Sequence, residues 1–262
     1  MSMFITDARN GLFVKEGSAL RKLDCPAEYP CCPCARGDAL YCACRARRDV
    51  FRLSKSEGDT IDCFASLPQV CAMTCSPCGR YLYQLSEEAD CVCAFGTESG
   101  DLLFGCKQGV FPRDMRLHRS GRWLLIAGGA SGEATVLSAP ELRVAEHYEG
   151  FGAVCAADFC REGAVLLCAV ENGDIQTVLA TVNGRTHALR ELARFDGQAG
   201  TVCACPDGRT ALVGALDGLF CVSLEDGGVL WQAPQIKLCR SVCFSSRQAL
   251  LSACLGGEVA EA

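Results

Sequence analysis

The chain has 262 residues, of which 50% are hydrophobic, 21% charged and 7% aromatic, so it carries the apolar material for a large buried core. A net charge of −6 argues against nucleic acid as a partner, because phosphate binding needs a concentrated basic surface. The longest apolar run, Ala164 to Val170, is far too short to span a bilayer, and the start MSMFITDARNGLF lacks the basic segment and apolar core of a secretory signal, so a cytoplasmic protein with no membrane partner is expected.

In chain order, the first elements are three short apolar segments, MFITD, GLFVKEG and ALRKLD. A phrase then repeats six times: small or polar residues, a Gly-type turn, an apolar run. It reads ARGDALYCAC from Ala35, SPCGRYLYQL from Ser76, HRSGRWLLIA from His118, CREGAVLLCA from Cys160, CPDGRTALVG from Cys205 and SSRQALLSAC from Ser245. With Gly37, Gly79, Gly121, Gly163, Gly208 and Arg247 as the turn positions, the spacings are 42, 42, 42, 45 and 39. Gly supplies the unusual φ that a tight reversal needs, and Pro presets φ before it, as in Ser76-Pro77-Cys78-Gly79. A second marker, Asp49, Asp90, Glu133, Asp174, Gly218 and Glu258, follows about ten residues later in the same phase, each time before another apolar stretch. The last elements are KLCRSVCF, ALLSACL and EVAEA.

A fixed period of this size built from short strands predicts an all-β fold, a single β-propeller domain over residues 1–262. Five four-stranded units lie between about Asp24 and Ile236, flanked by an N-terminal and a C-terminal set. Ala19 to Leu23 looks like the outer strand Ala188 to Leu192, which brings the total to roughly 26 strands. That count favours seven blades, two of them incomplete, with six as the alternative in which both termini share one blade. No segment sustains the apolar spacing of a helix over the ~11 residues a mean helix occupies. The run Arg45-Ala46-Arg47-Arg48 is expected in a solvated turn.

The hairpin phrase resembles that of the WD-repeat and YVTN-type propeller superfamily, whose blades carry F-S-P-D-G-x-x-L in the first hairpin. The nearest copies are Cys75-Ser76-Pro77-Cys78-Gly79-Arg80-Tyr81-Leu82 and Cys205-Pro206-Asp207-Gly208-Arg209. No Trp-Asp dipeptide and no Gly-His signature is present, and Trp123 and Trp231 lie outside that motif. The resemblance implies the fold; propellers host unrelated activities, so it implies no single function.

The 22 cysteines pose a choice among disulfides, metal ligands and packing. The long chain and recurring core pattern favour reduced thiols acting as small hydrophobes in a reducing cytosol. Cys32/Cys34, Cys42/Cys44, Cys91/Cys93 and Cys203/Cys205 stand at i and i+2, which puts each pair on one face of a strand. Cys25, Cys31, Cys32 and Cys34, with Cys75 and Cys78 one blade on, contain two C-x-x-C spacings that could meet as a four-thiolate site. Against that, Cys34, Cys160 and Cys205 share one repeat position, three before the turn, so cysteine there follows the repeat. His118, His147 and His187 are not paired at ligand spacing. No metal and no cofactor are expected.

One polar group stands out on the innermost strands. Asp114-Met115-Arg116-Leu117-His118 alternates, which places Asp114, Arg116 and His118 on one face. Asp158 stands five before Gly163 as Arg116 stands five before Gly121, so the two are expected near each other at the central channel, either as an inter-blade ion pair or as part of a ligand site. Arg161, Glu162 and Arg240 are expected at similar depth. There is no nucleophile elbow, H-E-x-x-H, P-loop or dinucleotide fingerprint. The first reading is a non-catalytic module binding a protein, with a small molecule as a further option. The alternative, a lactonase-like hydrolase acting at the channel mouth, is one the propeller resemblance makes conceivable. A quinone-dependent dehydrogenase is weaker, for want of an acidic calcium-type cluster.

Overall fold

A computed structural model describes residues 2–7, 11–16, 19–27, 30–44, 47–54, 59–161, 164–171, 176–205, 208–234, 239–245 and 249–254. Among these no α-helix occurs. The first sheet has three strands, β1 (Ser2–Asp7), β2 (Gly11–Glu16) and β3 (Ala19–Leu23). Five complete four-stranded antiparallel sheets follow. They are β4 (Pro30–Arg36), β5 (Ala39–Cys44), β6 (Asp49–Ser54) and β7 (Thr60–Ala65); β8 (Val70–Cys75), β9 (Tyr81–Ser86), β10 (Cys91–Gly96) and β11 (Leu102–Lys107); β12 (Asp114–Leu117), β13 (Trp123–Ala127), β14 (Ala134–Ser138) and β15 (Val144–Tyr148); β16 (Ala153–Phe159), β17 (Val165–Val170), β18 (Gln176–Val182) and β19 (Leu189–Asp196); β20 (Thr201–Ala204), β21 (Thr210–Gly214), β22 (Leu219–Ser223) and β23 (Val229–Ala233). The last sheet pairs β24 (Cys239–Ser245) with β25 (Ala249–Cys254). The five complete sheets are common to the seven-bladed and six-bladed arrangements, which differ only at the two partial sheets formed by the chain ends.

Each complete sheet is a meander, and the repeated phrase lies at its first turn. Gly37, Gly79, Gly121 and Gly208 take φ of 55°, 76°, 70° and 66° between the first and second strands, while Gly163 lies outside the described residues. The second strands are near-continuous apolar runs, such as Leu124 to Ala127 and Val165 to Ala169, because neighbouring sheets cover both their faces. The core is divided accordingly. One cluster joins Leu166, Cys168 and Leu179 to Val202, Val213 and Val222 of the next sheet; another joins Leu125 and Val136 to Val154 and Leu167. No sheet buries its faces alone, which is why the sequence must repeat.

Every complete sheet has the same irregularity in its outer strand. The pairing passes from Asp62 to Thr60, Phe104 to Leu102, Glu146 to Val144, Ala193 to Glu191 and Trp231 to Val229. Ile61, Leu103, Ala145, Leu192 and Leu230 are thereby left without a partner on the third strand. Inner strands carry a counterpart: Cys71, Cys155 and Arg240 are the residues skipped in β8, β16 and β24. Arg47 and Arg48 lie exposed in the β5–β6 turn, Arg48 3.6 Å from Glu88, as expected of a solvated turn; Arg45 and Ala46 are outside the described residues.

Candidate functional site

The first strands of successive sheets pack side by side from β1 through β4, β8, β12, β16 and β20 to β24, which sets them around a common centre. β1 is thus an inner strand, and Ala19–Leu23 is the third strand of its sheet, not the outer strand that its resemblance to residues 188–192 suggested. On β12, Met115 turns into the core at 4% exposure, so Asp114 and Arg116 take the opposite face. Their side chains meet, Arg116 Nε standing 3.4 Å from Asp114 Oδ2. Arg116 Nη2 also donates to Thr201 Oγ1 at 3.0 Å and to the Val202 carbonyl at 3.3 Å. It thus reaches past β16 to the sheet beyond.

Asp158 fills the intervening place. Its Oδ2 accepts the Ala204 N–H and its Oδ1 the Phe159 N–H, both at 2.8 Å. Burial pushes its carboxyl above the usual range, against the Arg116 charge and the two amides, which favour the ionised form. Asp114, Arg116 and Asp158, with Thr201, therefore tie three inner strands together. Thr201 stands seven before Gly208 as Asp114 stands seven before Gly121, so the repeat register could have revealed it.

His118 follows the end of β12, where the turn redirects it. Its Nδ1 lies 2.7 Å from Ser120 Oγ, and its ring packs edge-on against Phe159 at 5.0 Å. Burial, and then the Arg119 charge, hold it below its ordinary pKa. Its contacts secure the turn. Arg161 lies against Gly208, where an added Cβ would come within 2.1 Å of its Nε. Glu162 is outside the described residues, as is the Arg240 side chain, whose backbone occupies the β24 bulge.

The thiols sort into separate contacts. All 19 cysteines with described side chains are free; Cys63 and Cys78 are exposed and the rest are buried or half-buried. Cys42 and Cys44 share one core cluster, and Cys91 hydrogen-bonds Cys93, as same-face neighbours on regular strands do. Cys32 and Cys34 depart from that expectation. The β4–β5 register jumps from Cys31↔Ala43 to Cys34↔Tyr41 and Cys32 takes φ 51°, because Pro33 cannot donate to the ladder. The six cysteines of the four-thiolate reading are distributed: Cys25 bonds Cys42, Cys34 bonds Cys75, Cys31 and Cys32 point at the Val70 carbonyl, and Cys78 contacts Ser76. Among the described residues no group of three or more His, Cys, Asp or Glu is arranged to hold a metal ion. Titration of the native protein with a thiol reagent should label the exposed Cys63 and Cys78 first and buried thiols such as Cys42 and Cys168 slowest. Nearly all 22 should react in denaturant without reductant; a persistent deficit there would mean disulfides.

Two surface clefts lie away from the centre. One of about 370 Å³ is lined by Arg209, Leu224, Glu225 and Leu230 at the turn end of the fifth complete sheet. The other, about 210 Å³, lies among His147, Tyr148, Phe151 and His187.

No protein-family model matches the chain, and no curated protein matches it in sequence. Among solved structures, Kuenenia stuttgartiensis hydrazine synthase is similar with a TM-score of 0.75 over 91% of this chain and 76% of its own. The chain folds as a β-propeller. At 14% identity the likeness shows the fold alone.

Proposed function

We propose that the protein is a non-catalytic propeller of the WD-repeat/YVTN type, a single cytoplasmic domain that binds a protein segment presenting apolar side chains. One observation carries this reading: exposed apolar residues stand at the start of the outer strand in all five complete blades. They are Ile61 (55% exposed), Leu102 (59%), Val144 (60%), Leu189 (56%) and Val229 (50%). In a meander the first and third turns lie at the same end, so these residues ring one face, with Trp123 and the cleft beside Leu230. Single exposed apolar residues are ordinary, whereas a recurring set marks an interaction surface. The free thiols support a reducing compartment. A lactonase-like hydrolase, the alternative, would need an acid–base group beside the Asp114/Arg116/Asp158 cluster, and the Nδ1 of His118 is engaged by Ser120 instead.

The test compares the parent with the triple variant Val144→Asp, Leu189→Asp, Leu230→Asp in affinity capture from the native cell extract. The expected result is a partner whose affinity falls at least roughly tenfold while the melting temperature stays unchanged. Retention of every captured protein by the triple variant would overturn the surface. Lactone hydrolysis that disappears in Asp114→Asn would overturn the non-catalytic reading.

A further inference from the structure

Strands β4 and β8 belong to adjacent blades and pack against each other along their length. Arg36, which ends β4, donates from Nη2 to the carbonyl of Pro77, just past the end of β8. Two residues earlier on each strand stand Cys34 and Cys75, and their side chains hydrogen-bond to each other. Both belong to the core group that contains Tyr41 and Leu82. The two thiols are unequal: Cys34 is half-buried, and Cys75 is 8% exposed.

The electrostatics follow the same asymmetry. The hydrogen bond from Cys75, helped by Thr74 and the Arg36 charge, holds the Cys34 thiol below its ordinary range against the effect of burial. The same bond and burial push Cys75 well above it. Within the pair, Cys34 is thus the thiol favoured to ionise and Cys75 the one favoured to keep its proton. Reactive cysteines occupy partly exposed, electropositive surroundings of this kind.

We propose that Cys34 and Cys75 form a thiol–disulfide exchange site that takes low-molecular-weight disulfides and closes a covalent link between the first and second complete blades. The Cys34 thiolate attacks one sulfur of the soluble disulfide RSSR; the S–S bond breaks and RS⁻ leaves, giving Cys34–S–S–R. RS⁻ takes up the Cys75 proton, directly or through water. The Cys75 sulfur then attacks that of Cys34 and displaces a second RS⁻, which is protonated by solvent. The two protein thiols lose two electrons and RSSR gains them, so one disulfide forms for each RSSR reduced to two RSH.

Cys25 and Cys42 share the asymmetry, Cys25 being held at about pKa 7 chiefly by its hydrogen bond with Cys42, but Cys25 lies in the segment between β3 and β4, so that pair does not join two complete blades. The other neighbouring thiols lack the arrangement. Cys31 and Cys32 are both directed at the Val70 carbonyl, 3.8 Å away. Cys78 is exposed and held at about pKa 7 by Ser76, then by Arg80, but its position is the turn beyond β8, whereas Cys75 is engaged by Cys34. Cys78 should therefore stop at the mixed disulfide.

The test treats the native full chain with oxidised glutathione at about pH 8, near the range where a free thiol ionises. Remaining thiols are alkylated, and the digest is read by mass spectrometry. The expected product joins the Cys34 and Cys75 peptides and is reversed by dithiothreitol. In Cys75→Ser, Cys34 should retain glutathione. In Cys34→Ser, modification of Cys75 should be at least roughly tenfold slower, because the thiol favoured to ionise is gone. A Cys75–Cys78 link, glutathione that stays on Cys34 in the parent, or modification of Cys78 with neither Cys34 nor Cys75 altered would each overturn the proposal. The parent experiment needs no substitution, so a variant that misfolds does not remove the test.

Discussion

Gly129→Ala should cost the protein at least about 3 kcal/mol, because two independent demands meet at that residue. Its φ is 59°, and a Cβ built there would lie 1.8 Å from the Phe111 carbonyl oxygen. The oxygen has little room to retreat. Phe111 is itself held at φ 53°, its N–H donates to Asp90 Oδ1 at 2.9 Å, and the Val110 carbonyl beside it accepts from Ala130 at 3.1 Å. Gly129 also exchanges two 3.0 Å backbone hydrogen bonds with Val154, joining the third complete blade to the fourth. A methyl group must therefore displace one blade connection or break another. Gly37→Ala is the control: its φ is 55°, but nothing lies within 4 Å of the added carbon, so only the backbone term of about 1 kcal/mol remains. Urea melts of both variants check this, and equal losses would show that the close approach carries no weight.

Asp158→Ala is expected to cost roughly 3 kcal/mol, since it strips the acceptor from the Ala204 and Phe159 amides and removes a counter-charge from Arg116. Replacing Arg116 and Asp158 together with apolar residues should not restore the loss, because the two amides stay unsatisfied and Thr201 loses its donor. The pH dependence has a definite sign. Burial raises the folded-state pKa above the ordinary value of 3.8, so over that interval the native protein keeps a proton that the unfolded chain has released. Stability from this group is fully present below pH 3.8 and declines as the pH rises through the folded value. The penalty for Asp158→Ala should accordingly be larger in acid than at neutrality. A penalty that grew with rising pH would mean that the Arg116 attraction outweighs burial.

Turn chemistry was the legible part of this chain. A glycine that must take positive φ is visible wherever it recurs, and Gly37, Gly79, Gly121 and Gly208 all do so. The spacing of 45 between Gly163 and Gly208 has a local cause that the period could only signal. The β18–β19 hairpin carries two more residue pairs beyond its register shift than the other outer hairpins. The extension is used: Arg190 donates to the carbonyls of Leu224 and Glu225 on the next blade. The bulges were not legible, because one unpaired residue reverses strict alternation without changing composition. That is why the Cys32/Cys34 prediction failed in β4 while Cys91/Cys93 held in the regular β10. At the centre, alternation found Asp114 and Arg116 and register found Asp158. His118 misled because β12 ends at Leu117, and past that point the turn directs the side chain.

The unpaired residues of the outer strands bear on how such a surface survives in a crowded solution. Each of the five complete blades presents a free outer-strand edge, a template on which another chain could add hydrogen bonds, and these edges lie beside Ile61, Leu103 and Leu230. A continuous edge of that character would seed fibres. At Ile61, Leu103, Ala145, Leu192 and Leu230 the backbone breaks step, so an incoming strand meets a kink before it can lay down a long ladder. Side-chain stickiness and backbone stickiness are thereby uncoupled, and the perimeter can grip another surface through its side chains without polymerising through its amides.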